Sequence, residues 1–340
     1  MYIFIDEAGG FQMPSRPHLV SCVSALLVPE CLSMTLFRRI RRVTHPWRSG
    51  GSEVKGSQLS EDQMQEVIRT VRRFEVLLIS VAIDMGLHSD AGISLHKTTQ
   101  VEKILAGISA RMSASMRSKI ESLAVRVGAL SNQLYVQAVL LTWLAQAVLE
   151  VGTLYYVERI PSALGSFTWR TDAKDVMITS YERLWREIAG PFLQTISLSS
   201  PAPRMIGADY SAFERYCGTM PQAPEHLRDQ IPRPNLPLSY VDIDALLADL
   251  KFSASHRLAG IQIVDMLGAA IRRACNGMLQ ERGWKGLGRL MATPRRGEDC
   301  VRFVTLEDAS CEGLPYSPIV KSWNRETRRL ILERRGPTSH

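Results

Sequence analysis

Acidic residues stand at several positions where a folded chain could gather them. The chain opens with "MYIFIDEAGG", in which residues 2–5 alternate aromatic and β-branched side chains and predict a buried strand. Asp6 and Glu7 follow at the end of that strand, and glycines then turn the chain away. Carboxylates at a strand end, beside a loop that permits close approach, are a common design for a metal site. They are also a common way to end a strand.

Another carboxylate, Asp265, lies in the late segment "GIQIVDMLGAAI", whose apolar composition predicts a helix buried nearly all round. An ionised carboxylate in such a place is costly unless it is paired, hydrogen-bonded or bound to a metal. Gly268 and Ala269 stand one turn further on and let another backbone or a substrate come close. The alternative is that Asp265 pairs with an arginine from elsewhere in the chain.

Two further acids are weaker candidates. Glu158 lies in "GTLYYVERI" (152–160), which its composition predicts to be a fourth strand. Glu53 lies with Lys55 in the loop "SEVKGS". The alternatives are an exposed Glu158 that pairs with Arg159, and a Glu53 that belongs to an ordinary surface loop.

These acids are far apart in sequence but can meet at one end of a sheet. Converging carboxylates repel one another unless cations hold them, and the hard ions Mg²⁺ and Mn²⁺ prefer oxygen ligands. Two such ions about 4 Å apart activate a water molecule and stabilise the leaving oxygen of a phosphodiester. The pattern therefore predicts a site for Mg²⁺ or Mn²⁺, with Lys55 available either to neutralise a substrate phosphate or to pair with a nearby acid.

The rest of the chain predicts the elements that position these residues. Further strands are predicted at 18–29, 75–85, 152–160 and 204–210. Helices are predicted at 30–43, 60–74, 174–190, 256–279 and 320–336, with two long helices between 97 and 150 that separate near 128–132. Asp172 and Asp175 are predicted to cap the helix over 174–190. This alternation indicates an α/β fold with one mixed sheet and helices on its faces.

The predicted organisation is one domain over residues 1–290 followed by an extension. The domain carries a helical insertion at about 97–150 and an irregular, proline-rich excursion at about 201–237. Residues 291–340 form a basic C-terminal extension with a helix.

Composition limits the class of protein. The 340 residues carry a net charge of +7 with a pI near 9.2, which fits a polyanionic partner without requiring one. Six cysteines without a CxxC pair indicate reduced thiols. The apolar run at 134–150 is broken by polar residues and falls short of the ~20 residues of a membrane span. We expect a buried core helix there, no membrane association and, without a signal peptide at the N-terminus, a cytoplasmic location.

Three short segments resemble the motifs of a bacterial family known as domain of unknown function 3800. "YIFIDEAGG" resembles its opening motif, "SEVKGSQLS" its second motif, and "LKFSASHRLAGIQIVDMLGAA" its closing motif. They come in the family's order and bracket residues 1 to about 280. The resemblance implies a ribonuclease H-like fold of about five strands flanked by helices, and metal-dependent nuclease or nucleic-acid-processing activity. It also implies Asp6 and Asp265 as metal ligands, with weaker support for Glu53 and for Glu158, where the family leads us to expect an aspartate.

Arginines in three regions are candidates for contacts with phosphates, the first region being Arg38, Arg39, Arg41 and Arg42 in the helix predicted at 30–43. Arg272 and Arg273 lie in the late helix, and Arg325, Arg328 and Arg329 share a face of the predicted terminal helix. An exposed arginine face can bind a nucleic-acid backbone without reading bases. The alternative is an ordinary solvated helix face.

The sequence thus predicts a divalent-metal-dependent nuclease that hydrolyses phosphodiester bonds in DNA or RNA. The residues predicted to carry the chemistry are Asp6, Asp265, Glu158, Glu53, Glu7 and Lys55. One alternative is a catalytically inactive nucleic-acid-binding or protein-interaction module of a mobile-element or defence system. Another is a phosphatase that acts on small molecules at the same metal site.

Overall fold

A mixed six-stranded sheet forms the centre of the fold, and helices cover both of its faces. The computed structural model describes residues 1–14, 16–48, 53–173, 187–193, 196, 203–225, 228, 231, 235–253, 258–293, 297–308 and 313–332. The strands are β1 (Tyr2–Ala8), β2 (Val20–Val28), β3 (Leu77–Asp84), β4 (Thr168–Asp172), β5 (Cys217–Met220), β6 (Leu238–Val241), β7 (Lys251–Ser253) and β8 (Val301–Phe303).

The strand order in the large sheet is β7–β4–β1–β2–β3–β8. Strands β1, β2 and β3 form an antiparallel meander, while β4 and β7 extend the sheet parallel to β1 on its other side. Strand β8 pairs parallel with β3, and β5 and β6 form a separate antiparallel pair. The predicted α/β fold with a mixed sheet is confirmed, with six strands rather than about five.

Ten helices can be bounded within the described residues. They are α1 (Glu30–Thr44), α2 (Glu61–Val71), α3 (Asp90–Ala106), α4 (Ala114–Gly128), α5 (Asn132–Ala147), α6 (Thr153–Arg159), α7 (Ile243–Leu247), α8 (Ala259–Cys275), α9 (Glu281–Trp284) and α10 (Ser317–Glu326). The predicted insertion at about 97–150 contains three helices, α3 to α5, instead of the predicted two, and α3 begins at Asp90. The predicted break near 128–132 separates α4 from α5.

Side chains of β1 alternate between two apolar layers, as the period of a strand requires. Ile3 and Ile5 pack in the layer that contains α5 and α6. Phe4 and Ala8 pack in the layer that contains α1, α2 and α8. We refer to these two sides of the sheet as the α5 face and the α8 face. Apart from the half-buried Tyr2, the apolar residues of β1, β2 and β3 are buried on both faces, so this part of the sheet lies in the core.

The predicted fourth strand at 152–160 is wrong. A π-helical turn (Val148–Gly152) joins α5 to α6, so residues 132–159 form one helical stretch. The aromatic and β-branched residues of "TLYYV" suit a strand by composition, but here they bury one after another against the sheet. This stretch is long and apolar enough to cross a membrane, yet 67% of its most apolar window is buried within the fold, as expected for the predicted core helix.

Other predicted elements shift or lie outside the described residues. The predicted strand at 204–210 is a turn instead, since Gly207 has a φ of +77° and Met205 N–H donates to the hydroxyl of Tyr210. The predicted helix at 174–190, with Asp175, lies mostly outside the described residues, although 187–193 are helical. The terminal helix runs over Ser317–Glu326 rather than 320–336, of which 333–336 are not described.

Candidate functional site

Asp6 and Asp172 lie side by side near the C-terminal ends of the neighbouring strands β1 and β4. The two strands are parallel, and their last paired residues are Ile5 and Thr171. Asp6 and Asp172 are the next residues on each strand, so both point toward the α8 face. Each residue is half-buried. This placement puts two carboxylates on neighbouring strands beneath helix α8.

Helix α8 carries Asp265 to the same place because small residues let it approach the sheet. A Cβ atom on Gly260 would collide with the ring of Phe4. A Cβ on Gly268 would lie 3.3 Å from Ser24 Oγ and 3.6 Å from Ala8 Cβ. Asp265 lies between these two glycines and is half-buried, although most of the helix is fully buried.

The loop before α2 contributes Glu53 and Lys55. Gly56 N–H donates to Asp265 Oδ2 over 2.9 Å, and Lys55 Nζ lies 2.8 Å from Glu53 Oε2. A Cβ on Gly56 would lie 2.6 Å from Met266 Cα, so only glycine permits this approach. Arg273 fixes the far end of the loop by donating to Leu59 O over 2.7 Å. The second and third predicted motifs therefore meet in space.

The carboxylates influence one another electrostatically. Burial raises the pKa of Asp6 to about 8, and the negative charges of Asp265 and Asp172 add to that rise. Burial also raises the pKa of Asp265, and the charge of Glu53 adds to it, while the Gly56 N–H and the positive charges of Lys55 and Arg272 oppose the rise. The site thus concentrates more negative charge than its own cations neutralise.

The carboxylates of the site also change the pKa of Lys55. Burial lowers the pKa of its ammonium group, but the hydrogen bond and charge of Glu53 and the charges of Asp265 and Asp172 raise it by more. The side chain remains 47% exposed. Lys55 is therefore a protonated, partly exposed group that pairs with Glu53.

A row of polar side chains continues from the two aspartates across the sheet. Asp6 pairs in register with Ser24, and Ser24 with Ser80, while Asp172 pairs with Ser253 on the other side. Ser24 and Ser80 are fully buried, and their hydroxyl oxygens lie 2.9 Å apart. Ser80 also donates to Val23 O over 3.2 Å, so the two hydroxyl groups are hydrogen-bonded within the sheet.

Two of the predicted carboxylates point elsewhere. Glu7 faces the α5 side of the sheet, where Gln137 Nε2 donates to its Oε2 over 3.1 Å. Glu158 lies on α6 and accepts a hydrogen bond from Leu332 N–H. Its neighbour Tyr156 donates to Leu27 O, and Leu27 pairs with Ile3, toward the opposite end of β1. The structure does not bring Glu158 to Asp6.

The predicted arginines divide into three kinds. Arg272 lies close enough to Asp265 for its charge to lower the pKa of that carboxyl. Arg273 and Arg328 bind main-chain carbonyls, Arg328 donating to Val76 O over 2.7 Å and to Phe74 O over 3.1 Å. Arg325 and Arg329 are exposed. Among these five, only Arg272 is placed beside the carboxylates.

Sequence reasoning missed Asp172, which it assigned to a helix cap. The signal that could have found it is the short segment "TWRTD", which contains β-branched and aromatic residues and ends in an acid, as β1 does. The more apolar segment at 152–160 was predicted to be the fourth strand instead. The acid at the end of the strand that pairs parallel with β1 is Asp172, not Glu158.

The carboxylates are gathered but do not form a closed metal site. Within the described part of the chain, no group of three or more His, Cys, Asp or Glu side chains is arranged to hold a metal ion as it stands. Comparisons with family models, with curated proteins and with solved structures found no match for this chain.

Proposed function

We propose that the protein is a divalent-metal-dependent hydrolase of phosphodiester bonds in nucleic acids. The observation that carries the proposal is the convergence of Asp6, Asp172 and Asp265 from two strands and a helix, close enough for the latter two charges to raise the pKa of Asp6. Such a cluster is unfavourable without a cation. Carboxylate oxygens that repel one another are a suitable ligand set for Mg²⁺ or Mn²⁺.

The residues that would hold the ions are Asp6, Asp172, Asp265 and Glu53. Bound there, Mg²⁺ or Mn²⁺ would supply an activated water and stabilise charge on the leaving oxygen. Lys55 is placed to bind a substrate phosphate, since it is protonated and half-exposed beside Glu53. Gly56 N–H orients the Asp265 carboxylate. Glu158, Glu7 and Arg328 have no part in this chemistry, because their side chains are engaged elsewhere.

A ribonuclease H-like fold and the kinship with domain of unknown function 3800 belong to the same proposal. They are supported by the central position of β1, flanked by an antiparallel meander on one side and by parallel strands on the other. The meeting of the three resembling segments at one edge of the sheet also supports them. Fold kinship alone does not decide activity.

The alternative function is a nucleic-acid-binding module that has lost its chemistry. It is favoured by the lack, among the described residues, of a group already arranged to hold a metal ion. In that case the aspartates beneath α8 would hold no metal ion, and nucleic-acid binding would need no divalent ion. The two functions differ in whether the protein binds a divalent ion and in whether it cleaves a substrate.

The decisive experiment is a cleavage assay on labelled single- and double-stranded DNA and RNA, with Mg²⁺, Mn²⁺ or EDTA. We expect cleavage that requires the ion and falls by at least ~100-fold in Asp172→Asn, because a ligand carboxylate is lost. The matched control is Glu158→Gln, which removes the same charge at the opposite end of β1 and should keep wild-type activity. Equal losses in both variants, or cleavage in EDTA, would refute the proposed site.

A further inference from the structure

A basic groove runs along the outer side of α2, in the same helical layer that carries Asp265. It consists of two adjoining hollows between α2 and the segment 282–289, with volumes of about 320 and about 160 Å³. Both hollows are lined by Gln65, Arg69 and Lys285, and the smaller one also by Arg72. We call this the α2 groove and define it by Arg69, Arg72 and Lys285.

The two walls of the groove are fastened to each other. The buried Gln65 donates through Nε2 to Arg282 O over 3.0 Å and to Lys285 O over 2.9 Å. Gly286 has a φ of +82°, and a Cβ there would lie 3.2 Å from Arg72 Nη1. These contacts fix the backbone on which the cationic side chains stand, so the groove is a built feature of the fold.

The cations of the groove exceed its acids. Arg282 pairs with Asp62, and Arg289 lies 3.8 Å from Glu326. Among the ion pairs of the described residues, none involves Arg69, Arg72 or Lys285. Glu66 is the remaining carboxylate of the lining. Three exposed cations face one acid, and a polyanion is the natural partner of such a surface.

The lining also indicates which part of a nucleic acid the groove would contact. None of the described side chains that line the two hollows is aromatic. Stacking platforms for bases are made of aromatic rings, whereas guanidinium and ammonium groups bind phosphates. The groove therefore suits the sugar–phosphate backbone and not the bases.

We propose that the α2 groove anchors the phosphate backbone of the nucleic acid beside the carboxylate site. This inference rests on the proposed function for its substrate class. Helix α2 begins directly after the loop that carries Lys55, and Arg69 lies about 14 Å along the helix from Ser60 at a rise of ~1.5 Å per residue. That span corresponds to roughly four nucleotides of one strand in a B-form duplex. A backbone held in the groove thus reaches the loop within a few nucleotides.

The test measures binding by fluorescence anisotropy in EDTA, with a labelled duplex of about 30 base pairs and the corresponding single strand. The groove variant combines Arg69→Ala, Arg72→Ala and Lys285→Ala. The control variant combines Lys103→Ala, Arg117→Ala and Lys119→Ala, which removes the same charge from exposed positions on α3 and α4. We expect the groove variant to weaken binding by at least ~10-fold and to reduce the salt slope by about two to three. Equal losses in the two variants would overturn the proposal.

Glu66→Gln provides an outcome that misfolding cannot imitate. Removal of this acid should tighten binding by about 2- to 5-fold, because it leaves the three cations unopposed. Unchanged binding in both Glu66→Gln and the groove variant would refute the groove. Failure of the proposed hydrolysis is distinguishable, since the anisotropy assay contains no divalent ion and needs no cleavage. Asp172→Asn should lose cleavage yet still bind at least as tightly as the wild type.

Discussion

The surroundings of Asp6 raise the pKa of its carboxyl far above the usual value. In the unfolded chain its carboxyl ionises near its usual pKa of 3.8, whereas burial, Asp265 and Asp172 raise the folded-state pKa to about 8. Between these two values the folded state retains a proton that the unfolded state releases. The contribution of Asp6 to the free energy of unfolding is therefore fully present below about pH 4. It is lost as the pH rises toward 8, by at most about 4 kcal/mol at pH 7.

The raised pKa of Asp6 predicts how the melting temperature of Asp6→Asn depends on pH, which can be measured without an activity assay. In EDTA the wild-type melting temperature should fall between pH 5 and pH 8, and the variant should show a clearly smaller fall, since its amide does not titrate and only the raised pKa of Asp265 remains. Added Mg²⁺ should raise the wild-type melting temperature at pH 8, because the ion replaces the proton, and should raise that of the variant less. Glu158→Gln should retain the wild-type profile. A variant with the same pH-dependent fall as the wild type would contradict the account.

At the residue scale the sequence singled out Asp6 and Asp265 of the candidate site but misjudged three acids, one of which, Glu7, faces the α5 side. Asp6 and Asp265 were recognisable because carboxylates in strongly apolar segments need a reason to be there. Asp172 was not, because its strand has only five residues and follows a far more apolar segment. Glu158 was misplaced because a buried helix and a buried strand have similar compositions over a short run.

At the element scale the loop before α2 depends on one glycine. Gly56→Ala places a Cβ 2.6 Å from Met266 Cα and 2.8 Å from Asp265 O, so the loop must move away from α8. We expect a loss of about 1–3 kcal/mol in the free energy of unfolding, as for other overpacked sites. Cleavage should fall by about 10-fold or more, because Gly56 N–H no longer orients Asp265.

Gly10→Ala is the matched control for this variant. A Cβ on Gly10 meets no atom within 4 Å, and the residue has no positive φ. Urea unfolding and initial cleavage rates, measured on both variants, separate a local displacement from a general cost of replacing glycine. Wild-type behaviour of Gly56→Ala in both measurements would show that the loop does not need its close approach.

The order of the elements was largely predictable, but their pairing was not. Strongly apolar runs identified β1, β2 and β3, and the capping pattern at Ser60 identified the start of α2, where its hydroxyl accepts from Gln63 N–H. Strands β7 and β8 have only three residues each, too few for a periodic signal, and they join the sheet through contacts that are distant in sequence. Such pairings depend on the tertiary fold rather than on local composition.

At the scale of the whole molecule, the predicted C-terminal extension is bound to the rest of the fold. Strand β8 pairs with β3, Trp323 of α10 packs edge-on against Trp284, and Ala292 forms a bridge with Arg328. The predicted separation at residue 290 therefore does not correspond to a break in the sheet. Arg328 is the centre of this attachment, since its guanidinium donates to Val76 O, Phe74 O and the hydroxyl of Tyr155.

Arg328→Ala should consequently destabilise the fold rather than weaken nucleic-acid binding. Its side chain is 19% exposed and lies 3.3 Å from Glu75 Oε1. Its removal takes a donor from the carbonyls of Val76 and Phe74 and leaves Glu75 with Tyr155 and Arg159 alone. We expect a loss of about 2–4 kcal/mol in the free energy of unfolding. Arg325→Ala, at an exposed position on α10, should cost less than about 0.5 kcal/mol. Urea unfolding measures both, and if Arg328→Ala instead lowered only the affinity for DNA or RNA, the predicted backbone contact would be right and the structural role wrong.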